Sequence, residues 1–159
     1  MSNKSSNPVA IITGGSRGVG AATAKLLASK GWNVAITCTS SIDDANSIVK
    51  ECEALGVEGL ALSADVSDDK ACRNTAEETI QKWGRIDALV NNAGTTKFVF
   101  NHGDLEGLDA EDFLHIYKVN VVGPFQMVRA CKELLLKSDN PSVVNISSIA
   151  GIKGVGSCL

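Results

Sequence analysis

The chain has no apolar run approaching the roughly 20 residues that a membrane-spanning helix needs. Its first segment, Met1 to Asn7, is polar and lacks the apolar stretch of a signal peptide. No membrane role is expected. No basic stretch dominates and the formal net charge is −3, so nucleic acid is a poor partner. There is no Cys-x-x-Cys pair. The five cysteines, Cys38, Cys52, Cys72, Cys131 and Cys158, are odd in number, which fits free thiols in a reducing cytoplasm. His102 and His115 have no ligand spacing around them, so no metal centre is expected. No repeat, low-complexity tract or linker interrupts the 159 residues, and a single domain over 1–159 follows. Hydrophobic residues make up 44%, too many for a disordered chain and enough to build a sizeable core.

What is present begins at a glycine cluster. Thr13-Gly14-Gly15-Ser16-Arg17-Gly18-Val19-Gly20 follows the apolar run Val9–Ile12 and opens a helical pattern. Such a strand–turn–helix unit aims unpaired backbone N–H groups at a nucleotide phosphate. The spacing Gly14-x-x-x-Gly18-x-Gly20 differs from the GxGxxG of ordinary dinucleotide folds. Glycines alone also serve turns for shape; the place between a first strand and a first helix is what points to a nucleotide.

The pattern then alternates. Val34–Cys38, Gly59–Ser63, Asp87–Asn91 and Ser142–Ile146 read as further strands. Ala45, Ile48, Val49, Cys52 and Leu55 recur at helical spacing and stop at Gly56. Asp68 can cap the next helix, whose inner stripe is Cys72, Thr75, Ala76, Thr79, Ile80 and Trp83 before Gly84. Cys52 and Cys72 therefore read as packing residues. The stretch from Thr95 to Leu108 is irregular. A long helix is expected from Asp109 to Lys137. Alternating strands and helices predict an α/β protein, a doubly wound parallel sheet of about five strands with helices on both faces. Ligands bind beyond the carboxyl ends of such strands. The glycine turn, Asp65, Asn91 to Gly94 and Ser147-Ser148 all fall on that rim.

The long helix carries two apolar stripes. One holds Leu114, Tyr117, Val121, Val128 and Leu135; the other holds Ile116, Val119, Met127, Ala130 and Leu134. One stripe can cover the sheet, and the other calls for a second cover, further chain or a partner subunit. Pro124 has no N–H to give the carbonyl of Asn120, so a bend and a free acceptor are expected there. That acceptor would suit a water at the rim.

Taken with Asn91-Asn92-Ala93-Gly94, Asn120 and Asn145-Ile146-Ser147-Ser148, the glycine turn resembles the short-chain dehydrogenase/reductase family of the classical type, over nearly the whole chain. The resemblance implies a Rossmann-type fold and an oxidoreductase that interconverts a carbonyl and an alcohol by hydride transfer with a nicotinamide coenzyme. Gly14, Ser16, Arg17, Gly18, Val19 and Gly20 match the family's coenzyme turn. Asp65-Val66 matches the pair whose acid contacts the adenine ring. Asn92, Ala93 and Gly94 match the segment beneath the coenzyme. Asn120 matches the catalytic asparagine whose carbonyl holds a relay water, and Ser148 the serine that hydrogen-bonds the substrate oxygen.

The coenzyme's identity follows from charge. NAD-preferring enzymes place an acid at the end of the second strand, where it repels a 2′-phosphate. Here that slot is Cys38, followed by Thr39, Ser40 and Ser41, with Arg17 nearby. Asp43 and Asp44 come late enough to sit in the next helix's first turn, where acids favour the dipole. NADP(H) is expected over NAD(H), which remains possible.

The family's Tyr-x-x-x-Lys pair would fall just past Leu159. Tyr117 is the lone tyrosine, and Val121 stands where its lysine would be. The chain is therefore expected to be a fragment, truncated on its C-terminal side and inactive by itself. The glycine-rich segment Gly151 to Leu159 is expected to be mobile. The parent is expected to be cytoplasmic and a homo-oligomer, dimer or homotetramer, joined through the Asp109–Lys137 helix. Phe98, Phe100 and His102 are expected on the substrate side of the cleft, and Lys97 could attract an anionic substrate. The alternative is a coenzyme-binding sensor or scaffold without turnover, which loss of the Tyr-x-x-x-Lys pair would mark. An acyl-carrier thioester, a steroid, a sugar and a small ketone all remain open as substrates.

Overall fold

The computed structural model describes residues 5–101 and 103–153. His102 and Cys158 lie outside the described residues, as do 154–159 of the glycine-rich end. Five parallel strands form one sheet in the order β3-β2-β1-β4-β5. They are β1 (Val9–Ile12), β2 (Asn33–Cys38), β3 (Gly59–Ser63), β4 (Ala88–Asn91) and β5 (Ser142–Asn145). Every residue of β1, β2 and β4 is buried, as expected of strands covered on both faces.

Alternation along β1 divides the core. Ala10 and Ile12 pack with Ala24 and Ala28 of α1 (Gly18–Ala28) and with Ala45, Val49 and Cys52 of α2 (Ile42–Glu53). Val9 and Ile11 pack on the other face, with Cys72, Ala76 and Trp83 of α3 (Asp69–Trp83). The helix boundaries follow local chemistry. Asp68 accepts a hydrogen bond from the Lys70 amide at 2.9 Å, and Gly84 ends α3 in the left-handed region at φ 70°.

The amino ends of the strands are locked by one carboxylate. Asp87, 3% exposed, accepts the Val9 amide at 2.8 Å, the Ser138 hydroxyl at 2.6 Å, and the Arg85 guanidinium at 2.7 and 2.8 Å. Burial alone would raise its pKa. The Arg85, Ser138 and Val9 donors outweigh that and hold it below the usual carboxylate range.

The long helix expected from Asp109 to Lys137, with a bend at Pro124, is three pieces. These are α4 (Ala110–Tyr117), a π-helical turn (Lys118–Val122) and α5 (Gly123–Leu135). Pro124, near the start of α5, has no amide to bond the Asn120 carbonyl. The Gly123 amide reaches back five residues to the carbonyl of Lys118. The wider turn changes the phase of the helix and breaks the expected stripes. Leu114, Tyr117 and Val121 stay exposed, joined by Phe113 and Phe125, whereas Leu135 is buried with Met127 and Cys131. Val128 packs partly buried against that same core. The edge strand β5 is exposed along its length, and a short α6 (Ala150–Lys153) follows it.

Candidate functional site

The glycine turn is built on a threonine and an asparagine. The Thr13 hydroxyl, 1% exposed in its residue, accepts the backbone amides of Asn92 at 3.0 Å and Ala93 at 2.9 Å. The Asn92 side chain answers by donating to the carbonyls of Thr13 at 2.9 Å and Gly14 at 3.0 Å. The loop after β4 thereby braces the loop after β1. Space is tight enough to demand glycine. A Cβ on Gly20 would stand 2.5 Å from both the Gly14 oxygen and the Asn92 Nδ2. One on Gly14 would come within 3.0 Å of the Ala93 Cα, at a φ of +65°. Gly18 adopts φ +55° in open space. The first amides of α1 have no intrahelical acceptors.

Beside that turn opens a cleft of about 440 Å³. It unites ten of the expected site residues: Gly14, Ser16, Arg17, Thr39, Ser40, Asp65, Val66, Asn92, Ala93 and Gly94. Gly18, Val19 and Gly20 do not line it; they form the first turn of α1, where Val19 is exposed. Thr39, Ser40 and Arg17 are exposed. Arg17 has no ion-pair partner among the described residues. Burial pushes the Cys38 thiol above its ordinary pKa, with the Ser41 backbone bond only partly opposing this. Cys38 is thus a neutral thiol at neutral pH and presents no negative charge to the cleft. Asp65 spends one oxygen on the Ser67 amide at 2.8 Å. The carbonyl of Val66 accepts from Gln126 Nε2 of α5 at 2.7 Å.

The two residues matched to catalytic positions stand outside the cleft lining. Asn120 lies in the π-helical turn. Its side chain clasps the backbone of Thr95, accepting from the amide and donating to the carbonyl at 2.8 Å each. Thr95 does line the cleft, so Asn120 secures its far wall. Ser148 is exposed beyond β5, and its Oγ accepts the Ala150 amide at 3.1 Å. The ends of β4 and β5 are joined by Asn91, whose Nδ2 donates to Asn145 Oδ1 at 2.8 Å.

Two expectations are corrected. Lys97 is not free for an anionic substrate, because it pairs with Asp112 of α4 at 2.5 Å. Phe98 and Phe100 stack edge to face with centroids 4.9 Å apart, and neither lines the cleft. Cys38 and Ser41, expected at the end of the second strand, also line it, and so do five residues given no site role from the sequence: Thr37, Ala64, Thr95, His115 and Val119. Thr37 also accepts the Gly14 amide on its Oγ1 at 3.3 Å. Its place at the end of β2 was the available signal.

Among the described residues, no helix is long and apolar enough to cross a membrane. No three His, Cys, Asp or Glu residues among them stand together as a metal site.

A family model described as short chain dehydrogenase matches residues 8–158. A 3-oxoacyl-(acyl-carrier-protein) reductase from Synechocystis sp. is 36% identical over 146 residues, covering 92% of this chain and 58% of that protein. A short chain dehydrogenase from Burkholderia cenocepacia J2315, solved in complex with NADP, superposes with a TM-score of 0.84 at 35% identity, over 94% of this chain and 59% of that one. An NAD+-bound xylitol dehydrogenase superposes with a TM-score of 0.85 at 28% identity, over 98% of this chain and 58% of that one. The chain thus spans about three-fifths of the length of these proteins.

Proposed function

The chain belongs to the short chain dehydrogenase family, and from that premise we propose that its protein is an NADP(H)-dependent oxidoreductase interconverting a carbonyl and an alcohol. The observation that carries the reading is the single cleft joining the glycine turn, the hydroxyls after β2, Asp65-Val66 and Asn92 to Gly94. The glycine cradle fits a dinucleotide: a Cβ at Gly20 would strike the Gly14 oxygen and Asn92 Nδ2, so only glycine there lets the turn close and bring the first amides of α1 beside the cleft for a pyrophosphate. The preference for NADP(H) is supported by Arg17, Thr39 and Ser40 beside a neutral Cys38. Together they offer one cation and two hydroxyls to a 2′-phosphate. NAD(H) is proposed as the weaker ligand. The similar proteins solved with NADP and with NAD+ show that close relatives of this fold hold either.

When bound, the coenzyme supplies or accepts the hydride. The chain's own residues bind and orient. The amides of Gly18 to Gly20 would hold the pyrophosphate. Asn92, Ala93 and Gly94 would line the coenzyme's site while Asn92 keeps the turn closed. Asp65 and Val66 receive the adenine. Ser148 donates to the substrate oxygen and polarises it. The Asn120 carbonyl, to which Pro124 has no amide to give, would hold a water at the rim of the site. Because a similar protein is a 3-oxoacyl-(acyl-carrier-protein) reductase, a 3-oxoacyl thioester is the first substrate to assay. We also propose that the protein is cytoplasmic, in keeping with four buried free thiols among the described residues. Its assembly as a homo-oligomer is supported by the exposed stripe Phe113, Leu114, Tyr117, Val121 and Phe125. The test is loss of NADPH absorbance on adding a 3-oxoacyl thioester to the intact protein. Turnover that falls at least about 100-fold in Ser148→Ala supports the reading; binding without turnover indicates a coenzyme sensor instead.

A further inference from the structure

One ring in the cleft has no part in the reading above. His115 is the sole ring-bearing residue among those that line it. It sits in the last turns of α4, one helical turn before Val119, and both face the cleft. The wall that carries them is fastened on two sides. Asn120 clasps Thr95 through two bonds of 2.8 Å. Gly123 packs so closely on Val66 that an added Cβ would meet its Cγ2 at 2.7 Å, and Gln126 bonds the Val66 carbonyl at 2.7 Å. The imidazole itself has no hydrogen bond or ion pair within the described residues, so it is free to turn toward a ligand.

The cleft is also chemically divided. Ser16, Arg17, Thr39 and Ser40 gather phosphate-binding groups at the glycine turn, whereas Ala64, Val66, Ala93 and Val119 are apolar. A flat heteroaromatic base suits the second set, and an aromatic ring beside apolar walls is what such a base stacks on. Resting on the coenzyme reading, we infer that His115 is a specificity residue whose ring packs against the adenine base and holds it over Val66. The contact is with the base and is independent of the 2′-phosphate.

The test is calorimetric titration of the chain and its variants with NADPH, NADH, 2′,5′-ADP and nicotinamide mononucleotide. His115→Ala should weaken the three adenine ligands by one common factor of about tenfold, the scale of a lost base-stacking ring. Nicotinamide mononucleotide should be unaffected, and His115→Phe should restore the affinity. His115 is exposed, and circular dichroism checks that each variant keeps its helices. Unchanged adenine affinity in His115→Ala overturns the inference, as does a loss confined to the ligands bearing a 2′-phosphate. If the parent chain binds none of the dinucleotides, the coenzyme reading falls and this inference with it; parent binding with an indifferent His115→Ala overturns the inference alone.

Discussion

Asn92→Ala removes the donor that closes the glycine turn. In the native chain its Nδ2 serves the carbonyls of Thr13 at 2.9 Å and Gly14 at 3.0 Å. Thr13 is 1% exposed, so its carbonyl loses a donor in a place water does not readily reach, which costs about 1–3 kcal/mol. Gly14 is only half-buried, and hydration there offsets part of the second loss. The sum is about 2–4 kcal/mol of folding stability. For a domain of this size that corresponds to a fall in Tm of roughly 4–16 °C. Asn92→Asp should be worse still, because a carboxylate oxygen would face two carbonyl oxygens. Urea unfolding followed by circular dichroism gives the free energies, and NADPH fluorescence titration gives the binding. The expected order is parent, then Asn92→Ala, then Asn92→Asp, with coenzyme affinity falling in the same order. Asn92→Ala within about 0.5 kcal/mol of the parent, the range of an ordinary surface change, would refute the reasoning, as would a fully stable Asn92→Asp.

Glycine at two positions of the same turn is required for different reasons. Gly20→Ala puts a Cβ 2.5 Å from the Gly14 oxygen; it should cost about 1–3 kcal/mol and abolish NADPH binding, as measured by the same titration. Gly18→Ala meets open space at φ +55° and should cost about 1–2 kcal/mol in stability alone. Asp87 links stability to pH. Its folded-state pKa is lowered, so its contribution is complete above the unfolded value of about 3.9 and is lost as pH falls through the folded value. Thermal unfolding between pH 6 and pH 2.5 should show a smaller acid loss in Asp87→Asn than in the parent, on top of a lower stability at pH 6. An identical acid loss in both would show that the carboxylate at the amino end of the sheet is not the linked group.

The sheet was largely legible because its strands are short apolar runs bounded by Gly, Asn and Asp. Val9–Ile12 and Gly59–Ser63 coincide with the strands observed, and Ser142–Ile146 overruns β5 by a single residue. The helix cap at Asp68 and the stop at Gly84 were equally plain, since both are local devices. The interruption near Pro124 was readable from the missing amide, but its form as a π-helical turn was not: that depends on how α5 seats on α3 and Val66. The phase change it introduces parts Leu135, which is buried, from Leu114, Tyr117 and Val121 of the same expected stripe, which are exposed. Within the site, the glycine turn and Asn92 carry recognisable patterns, whereas the strut role of Thr13 comes from tertiary approach of two loops. The Lys97–Asp112 pair likewise exists only once α4 has folded against the loop after β4. His115 carried no sequence signal for the cleft, since nothing local says which way a ring on α4 will face.

The central claim is that the cleft holds a dinucleotide bearing a 2′-phosphate. It is tested most directly by titrating the chain with NADPH and NADH side by side, in the parent, in Arg17→Glu and in Cys38→Asp. A charge-assisted bond to the extra phosphate contributes about 1.5–3 kcal/mol, so NADPH should bind roughly 10 to 100 times more tightly in the parent. Arg17→Glu should erase that ratio, and Cys38→Asp should reverse it in favour of NADH. Equal affinities in the parent, tighter binding of NADH, or binding of neither would contradict the account.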